Sequence, residues 1–117
     1  MPRIDVPVTD VVRAGVAPPT EVTGDAANNH IVTNDGRVFL VARNSAATTT
    51  RNVTIQTPGT VDGLAVADRV VAVPISSSKY IGPFPTATYN QSGSDQGKLY
   101  VDVDNAELRL LAFRLPL

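Results

Sequence analysis

A single imidazole, His30, and one close pair of carboxylates, Asp102 and Asp104, are the residues of this 117-residue chain whose types invite a reaction. His30 opens the run "HIVTN" with no nucleophile or second base spaced to it, so it reads as a hydrogen-bonded surface residue at a strand edge. The two aspartates stand two positions apart, which on a strand places both carboxylates on one face, roughly 7 Å from each other. A hard cation wants about six to eight oxygens from a loop that encloses it. The stretch "DVDNAE" lacks the D-x-[DN]-x-[DN]-G register of such a loop, so the pair reads as a solvated face that discourages edge pairing. No phosphate-cradling P-loop, dinucleotide fingerprint or G-x-S-x-G elbow occurs. The chain has no cysteine, which removes disulfides, thiolate metal sites and a cysteine nucleophile. We therefore expect no enzyme, no catalytic residue, no metal and no cofactor.

Aromatic residues are scarce: three Phe, three Tyr and no Trp. Tyr80, Tyr89 and Tyr100 are the candidates for a carbohydrate platform. Two of them fall in "KYIGPFPTATYN", residues 79–90. Pro83 and Pro85 each remove a ladder donor and restrict the residue before them, so this stretch reads as a corner between strands. Phe84 is expected to plug one end of the fold there, the alternative being a platform for a partner. Eight Arg and two Lys are scattered singly and the net charge is −1, so nucleic acid is not expected as a partner. No apolar run approaches the ~20 residues of a membrane span, so no membrane is expected either. A cytoplasmically folded, soluble product follows as the default.

The elements that must position these residues are strands. From residue 28, short apolar runs alternate with turn signals at the spacing of an all-β sandwich or barrel. Eight strands are predicted, near 30–34, 37–44, 51–57, 63–66, 69–75, 79–84, 98–104 and 107–115. Asn34-Asp35-Gly36 is a tight-turn signal of the kind primed hairpins use, with Pro58-Gly59, Asp62-Gly63 and Asp104-Asn105 as further punctuation. Residues 1–27 carry Pro2, Pro7, Pro18 and Pro19 without apolar period and read as an extended N-terminal arm, dispensable to a domain at 28–117. Ile4, Val6, Val8, Val11 and Val12 make it apolar for a free tail, so it is either disordered or laid against a neighbouring surface.

Strand faces divide into two kinds. "RNVTIQT" and "KLYVDVD" alternate, with Val53 and Ile55, and Leu99, Val101 and Val103, on the buried side. "RVFLVAR" and "LRLLAF" are apolar on both faces, so Phe39, Val41, Leu111 and Phe113 need cover from loops, from the arm, or from a sister subunit.

Taken together, "RAGVAPP", "NDGRVFLVARN", "TVDGLAVADRVVAVP", "IGPFPTATYN" and "LLAFRL" resemble small virion proteins of tailed bacteriophages of actinobacteria, and among these the capsid decoration, or cement, proteins. The resemblance spans nearly the whole chain, on structural punctuation rather than catalytic motifs. It implies a jelly-roll-like β-sandwich or β-barrel on the exterior of the virion capsid, assembled in the host cytoplasm. It also implies a homo-oligomer, with a trimer favoured, that binds the major capsid protein. On this expectation Val6, Val8, Val11, Val12 and Arg13 of the arm contact the capsid, while Phe39, Val41, Leu111 and Phe113 form the subunit interface. The competing expectations are a head–tail connector or minor tail subunit, and a carbohydrate-binding or adhesion module.

Overall fold

The computed structural model describes residues 2–116 and is all-β. Twelve strands, numbered in chain order, form two facing sheets and one small hairpin. The first sheet runs, in spatial order, β1 (Ile4–Asp5), β4 (His30–Thr33), β11 (Lys98–Val103), β6 (Arg51–Ile55), β9 (Arg69–Val73). The second runs β10 (Ser78–Ile81), β5 (Val38–Asn44), β12 (Leu108–Arg114), β2 (Val8–Asp10), with β3 (Val22–Thr23) also paired to β12. β7 (Thr60–Val61) and β8 (Leu64–Ala65) pair only with each other. Both large sheets end in edge strands, so the architecture is a sandwich and not a closed barrel. All eight expected strands are present.

Alternation builds the core. Val32, Val53, Ile55, Leu99 and Val101 from the first sheet join Val38, Leu40, Ala42, Leu108, Leu110 and Ala112 from the second in one buried cluster. Each such side chain contributes roughly 1.5–3 kcal/mol of transfer free energy when fully buried. Burial of this alternate set fixes the strand register, because a slip by one residue would turn every one of these side chains to solvent.

From β3 onward each successive strand changes sheet, except that β6 and β9 pair directly around the nested β7–β8 hairpin. Asn34-Asp35-Gly36 is therefore a crossing between sheets and not the hairpin turn its residues suggested. Only Gly36 of the three has positive φ, and the Asn34 side-chain oxygen accepts its N–H at 3.0 Å.

Two buried asparagines hold what the crossings leave open. Asn44 on β5 donates to the carbonyls of Thr49 and Val73 at 2.9 and 3.0 Å and accepts from the Ala46 N–H at 2.9 Å, tying the sheets at one end. At the other end Asn34 donates to the Phe84 carbonyl at 3.1 Å and to the Asn90 side chain at 2.6 Å. Phe84 is buried there, its ring edge-on to Tyr89 with centroids 5.2 Å apart, at the start of the short helix α1 (Thr86–Tyr89). The corner reading of "IGPFP" holds. Gly82 has a φ of +128°, and a Cβ on it would stand 3.1 Å from the Phe39 Cα, so only glycine fits where the corner passes β5.

The N-terminal segment departs from expectation. β1 lies parallel to β4, β2 lies parallel to β12, and Val6 between them is only 1% exposed. Val8 also packs against the core cluster. Val6 is therefore not a free capsid contact, because burying it between its own sheets is what completes the sandwich, and Val8 is half-buried beside it. Proline at positions 2 and 7 does not prevent this, since both sit outside the ladder segments of short edge strands.

Candidate functional site

The outer faces of the two sheets differ in kind. Asn52, Thr54, Tyr100 and Asp102 project from the first, between the buried positions of β6 and β11. From the second project Phe39 and Val41 of β5, Leu111 and Phe113 of β12, and Tyr80 of β10, all set by register. Phe39 and Phe113 are directly opposed and stack with ring centroids 5.6 Å apart, and Tyr80 meets Phe39 edge-on at 6.3 Å. Tyr80 is nevertheless 79% exposed.

The chain after β2 forms the other wall. The Val11 N–H donates to the Arg114 carbonyl at 2.9 Å, and the backbone then turns at residues 13–14 before reaching Pro18. Val12 and Val16 on this wall and Phe39, Val41, Tyr80 and Phe113 on the sheet line an open apolar groove of about 460 Å³. Leu111 is not part of it; it borders a small hollow with Pro7, Pro19, Thr20 and Val22, under the chain's own N-terminal segment. The cover expected for the second sheet is thus supplied by the arm at Leu111 and is incomplete over Phe39 and Phe113. Val11 and Val12, expected on a separate arm, line the same groove as Phe39, Val41 and Phe113, and Arg13 follows them in an exposed turn.

Ion pairs surround this face and are satisfied within the chain. Arg114 donates to Asp10 at 2.7 Å, and that hydrogen bond holds the Asp10 carboxyl below its ordinary range. Asp35 bridges Arg37 at 3.0 Å and Arg114 at 3.5 Å. Arg43, on the outer face of β5, grips Glu21 through two hydrogen bonds of 2.8 Å and lowers its pKa likewise. Arg13, exposed in the turn between the groove residues Val12 and Gly15, forms no ion pair with the described residues.

The residues that suggested chemistry are occupied structurally. His30 is fully buried, a departure from the surface position expected of it; its Nε2 accepts the Asp25 N–H at 3.0 Å and its Nδ1 has no hydrogen-bond partner. Burial is the main cause that pushes its pKa down, and the backbone of Ile4 and the charge of Asp25 oppose it. Asp102 is taken by Arg3 at 2.6 Å and by the Gln56 amide at 2.9 Å, while Asp104 accepts the Asn52 N–H at 3.0 Å. No cluster of three or more metal-ligating side chains stands among the described residues. Tyr89 is buried with its hydroxyl accepting from Arg69 at 2.9 Å, and Tyr100 donates to Asp95 beneath Arg3. These two do not gather into an aromatic groove; Tyr80 instead joins the two phenylalanines.

The two-faced strands signalled an outer apolar surface in advance, but the participation of Tyr80 was not visible. It depends on β10 pairing with β5 across more than thirty intervening residues. No family model, characterised protein or solved structure matches the chain.

Proposed function

We propose that the chain is a structural virion protein, a capsid decoration protein that binds the outer surface of a phage head as a homo-oligomer and stabilises the shell. The observation that carries this reading is the open groove between Val12 and Val16 on one side and Phe39, Val41, Tyr80 and Phe113 on the other. An open, apolar surface suits protein contact, and soluble monomers seldom leave large contiguous patches of this kind bare. The sandwich around it is braced by crossings and buried asparagines, which suits a part that reinforces a lattice without changing shape. The resemblance to actinobacteriophage cement proteins supplies the partner, the major capsid protein, and the favoured trimer.

The test is the number of copies of this chain per major capsid protein in purified particles, by quantitative mass spectrometry. A ratio near one to one, or one trimer per threefold site, supports decoration. A ratio matching a single ring moves the protein to the neck or tail, and absence from particles overturns the virion reading. A carbohydrate-binding module is disfavoured by the internal engagement of Tyr89 and Tyr100.

A further inference from the structure

The second exposed apolar feature of the molecule is the β7–β8 hairpin. Val61 and Leu64 are directly opposed across it, so their side chains share one face, and they are 68% and 70% exposed. The two residues between them, Asp62 and Gly63, have φ of 54° and 77°, the positive values that a type I′ turn requires at both central positions. The base of the hairpin is clasped: the Thr57 N–H donates to Asp68 at 3.0 Å and its hydroxyl to the Val66 carbonyl at 2.8 Å. The result is a short, preorganised finger with an apolar pair at its tip and Asp62 beside it. Asp62, like Arg13, has no ion-pair partner among the described residues.

We propose that this finger inserts into the Phe39–Tyr80–Phe113 groove of a second copy of the chain. The two surfaces complement each other in chemistry. Val61 and Leu64 are the apolar knob for an apolar groove, and Asp62 beside the knob is opposite in charge to Arg13, exposed in the turn that joins the groove residues Val12 and Gly15. Knob and groove are different patches of one molecule, so the contact is head-to-tail and propagates until a ring closes. This deepens the homo-oligomer part of the proposed function and rests on that part alone; it assigns the subunit contact and does not depend on what the assembled ring binds. A groove that merely paired with itself would leave the hairpin unused.

The experiment is sedimentation velocity and light scattering on the full chain and on two variants at exposed positions, Leu64→Asp in the finger and Tyr80→Asp in the groove. Circular dichroism of both variants should match the parent, and their thermal melts should match those of the parent at dilutions where it is dissociated. The parent is expected to assemble, and each variant alone to be monomeric. Mixed one to one, the variants should form a two-chain complex and nothing larger, because one intact finger and one intact groove remain. Reversing Asp62→Lys or Arg13→Glu singly should weaken assembly about tenfold, and the double reversal should restore it. A parent that stays monomeric, a Leu64→Asp variant that still assembles, or variants that fail to complement would each overturn the proposal. None of these outcomes bears on the copy number in particles, so failure here and failure of the decoration reading are told apart.

Discussion

The guanidinium carbon of Arg3 lies over the ring of Tyr100, 3.9 Å from its centroid. The same guanidinium reaches Asp102 at 2.6 Å and the His30 carbonyl at 3.1 Å, so one side chain near the start of the chain clamps the outer face of β11 and the edge of β4. It holds β1 in place where only two residues of ladder are available. Replacing Arg3 with Ala should cost about 1–2 kcal/mol. It should speed hydrogen exchange at the Ile4 and Val6 amides, which donate to Asn29 and Ile31 at 2.9 and 3.0 Å. Exchange at Leu99 and Val101 should be unchanged, since they lie in the closed centre of the sheet. Equal protection at Ile4 and Val6 in the variant and the parent would refute the clamp.

Val6 tests how far the N-terminal segment belongs to the fold. Val6→Ala should lower stability by about 2 kcal/mol, as the loss of two buried methyl groups and the cavity they leave. Deletion of residues 1–10 should go further and yield a chain without a cooperative urea transition, because it uncovers one edge of each sheet. A truncated chain with the melting temperature of the parent would show that the segment is dispensable after all.

The sandwich was legible because its long strands alternate: Leu99, Val101 and Val103, or Val38, Leu40 and Ala42, announce their buried face within a few residues. The N-terminal strands were not, because two- and three-residue ladders have no period to read; their order comes from Val6 finding the core and from Arg3 finding Tyr100. Asn34-Asp35-Gly36 shows another limit. Its residues specify a tight turn, but whether the next strand pairs locally or crosses to the other sheet depends on Asn34 meeting Phe84 and Asn90, 50 and 56 residues away. At the groove, the sequence marked Phe39 and Phe113 as apolar residues that need cover, but that they share one outward face follows from the pairing of β5 with β12. Leu64 passed as part of an ordinary strand at 63–66 and Val61 as part of the loop before it, since only the fold shows that β7 and β8 pair with each other and have no second layer.

Phe84 is the test of the corner. It is buried against Tyr89, its carbonyl is held by Asn34, and Gly82 two residues before it passes within contact of Phe39. Phe84→Ala should destabilise the protein by ~3–5 kcal/mol, the range for a buried aromatic side chain. Phe84→Leu should recover more than half of that by refilling the site. Chemical denaturation midpoints decide the matter, and a change of only a few tenths of a kcal/mol for the alanine variant would mean that the end of the sandwich is not packed around this ring.

His30 gives the fold a pH dependence whose sign follows from its burial. The folded imidazole has its pKa pushed below the ordinary 6.5, chiefly by desolvation, and the unfolded chain titrates near that ordinary value. Between the two values the unfolded state binds a proton that the folded state does not, so the free energy of unfolding rises with pH there. Stability should thus be level above about pH 7 and fall as the solution is acidified below about 6.5. Protonation would also turn Nε2 from an acceptor of the Asp25 N–H into a donor facing a donor. The carboxylates act in a separate window. Asp25 is held below its ordinary 3.8 by the Asn28 backbone and side chain, and Glu21 below its ordinary 4.5 by Arg43, so their contributions are lost only as pH falls through those depressed values. In the His30→Gln variant, whose side-chain oxygen still accepts but does not titrate, urea midpoints should be flat from pH 7 to 5 while those of the parent decline. Parallel slopes for the two proteins across that interval would assign the acid sensitivity to other groups.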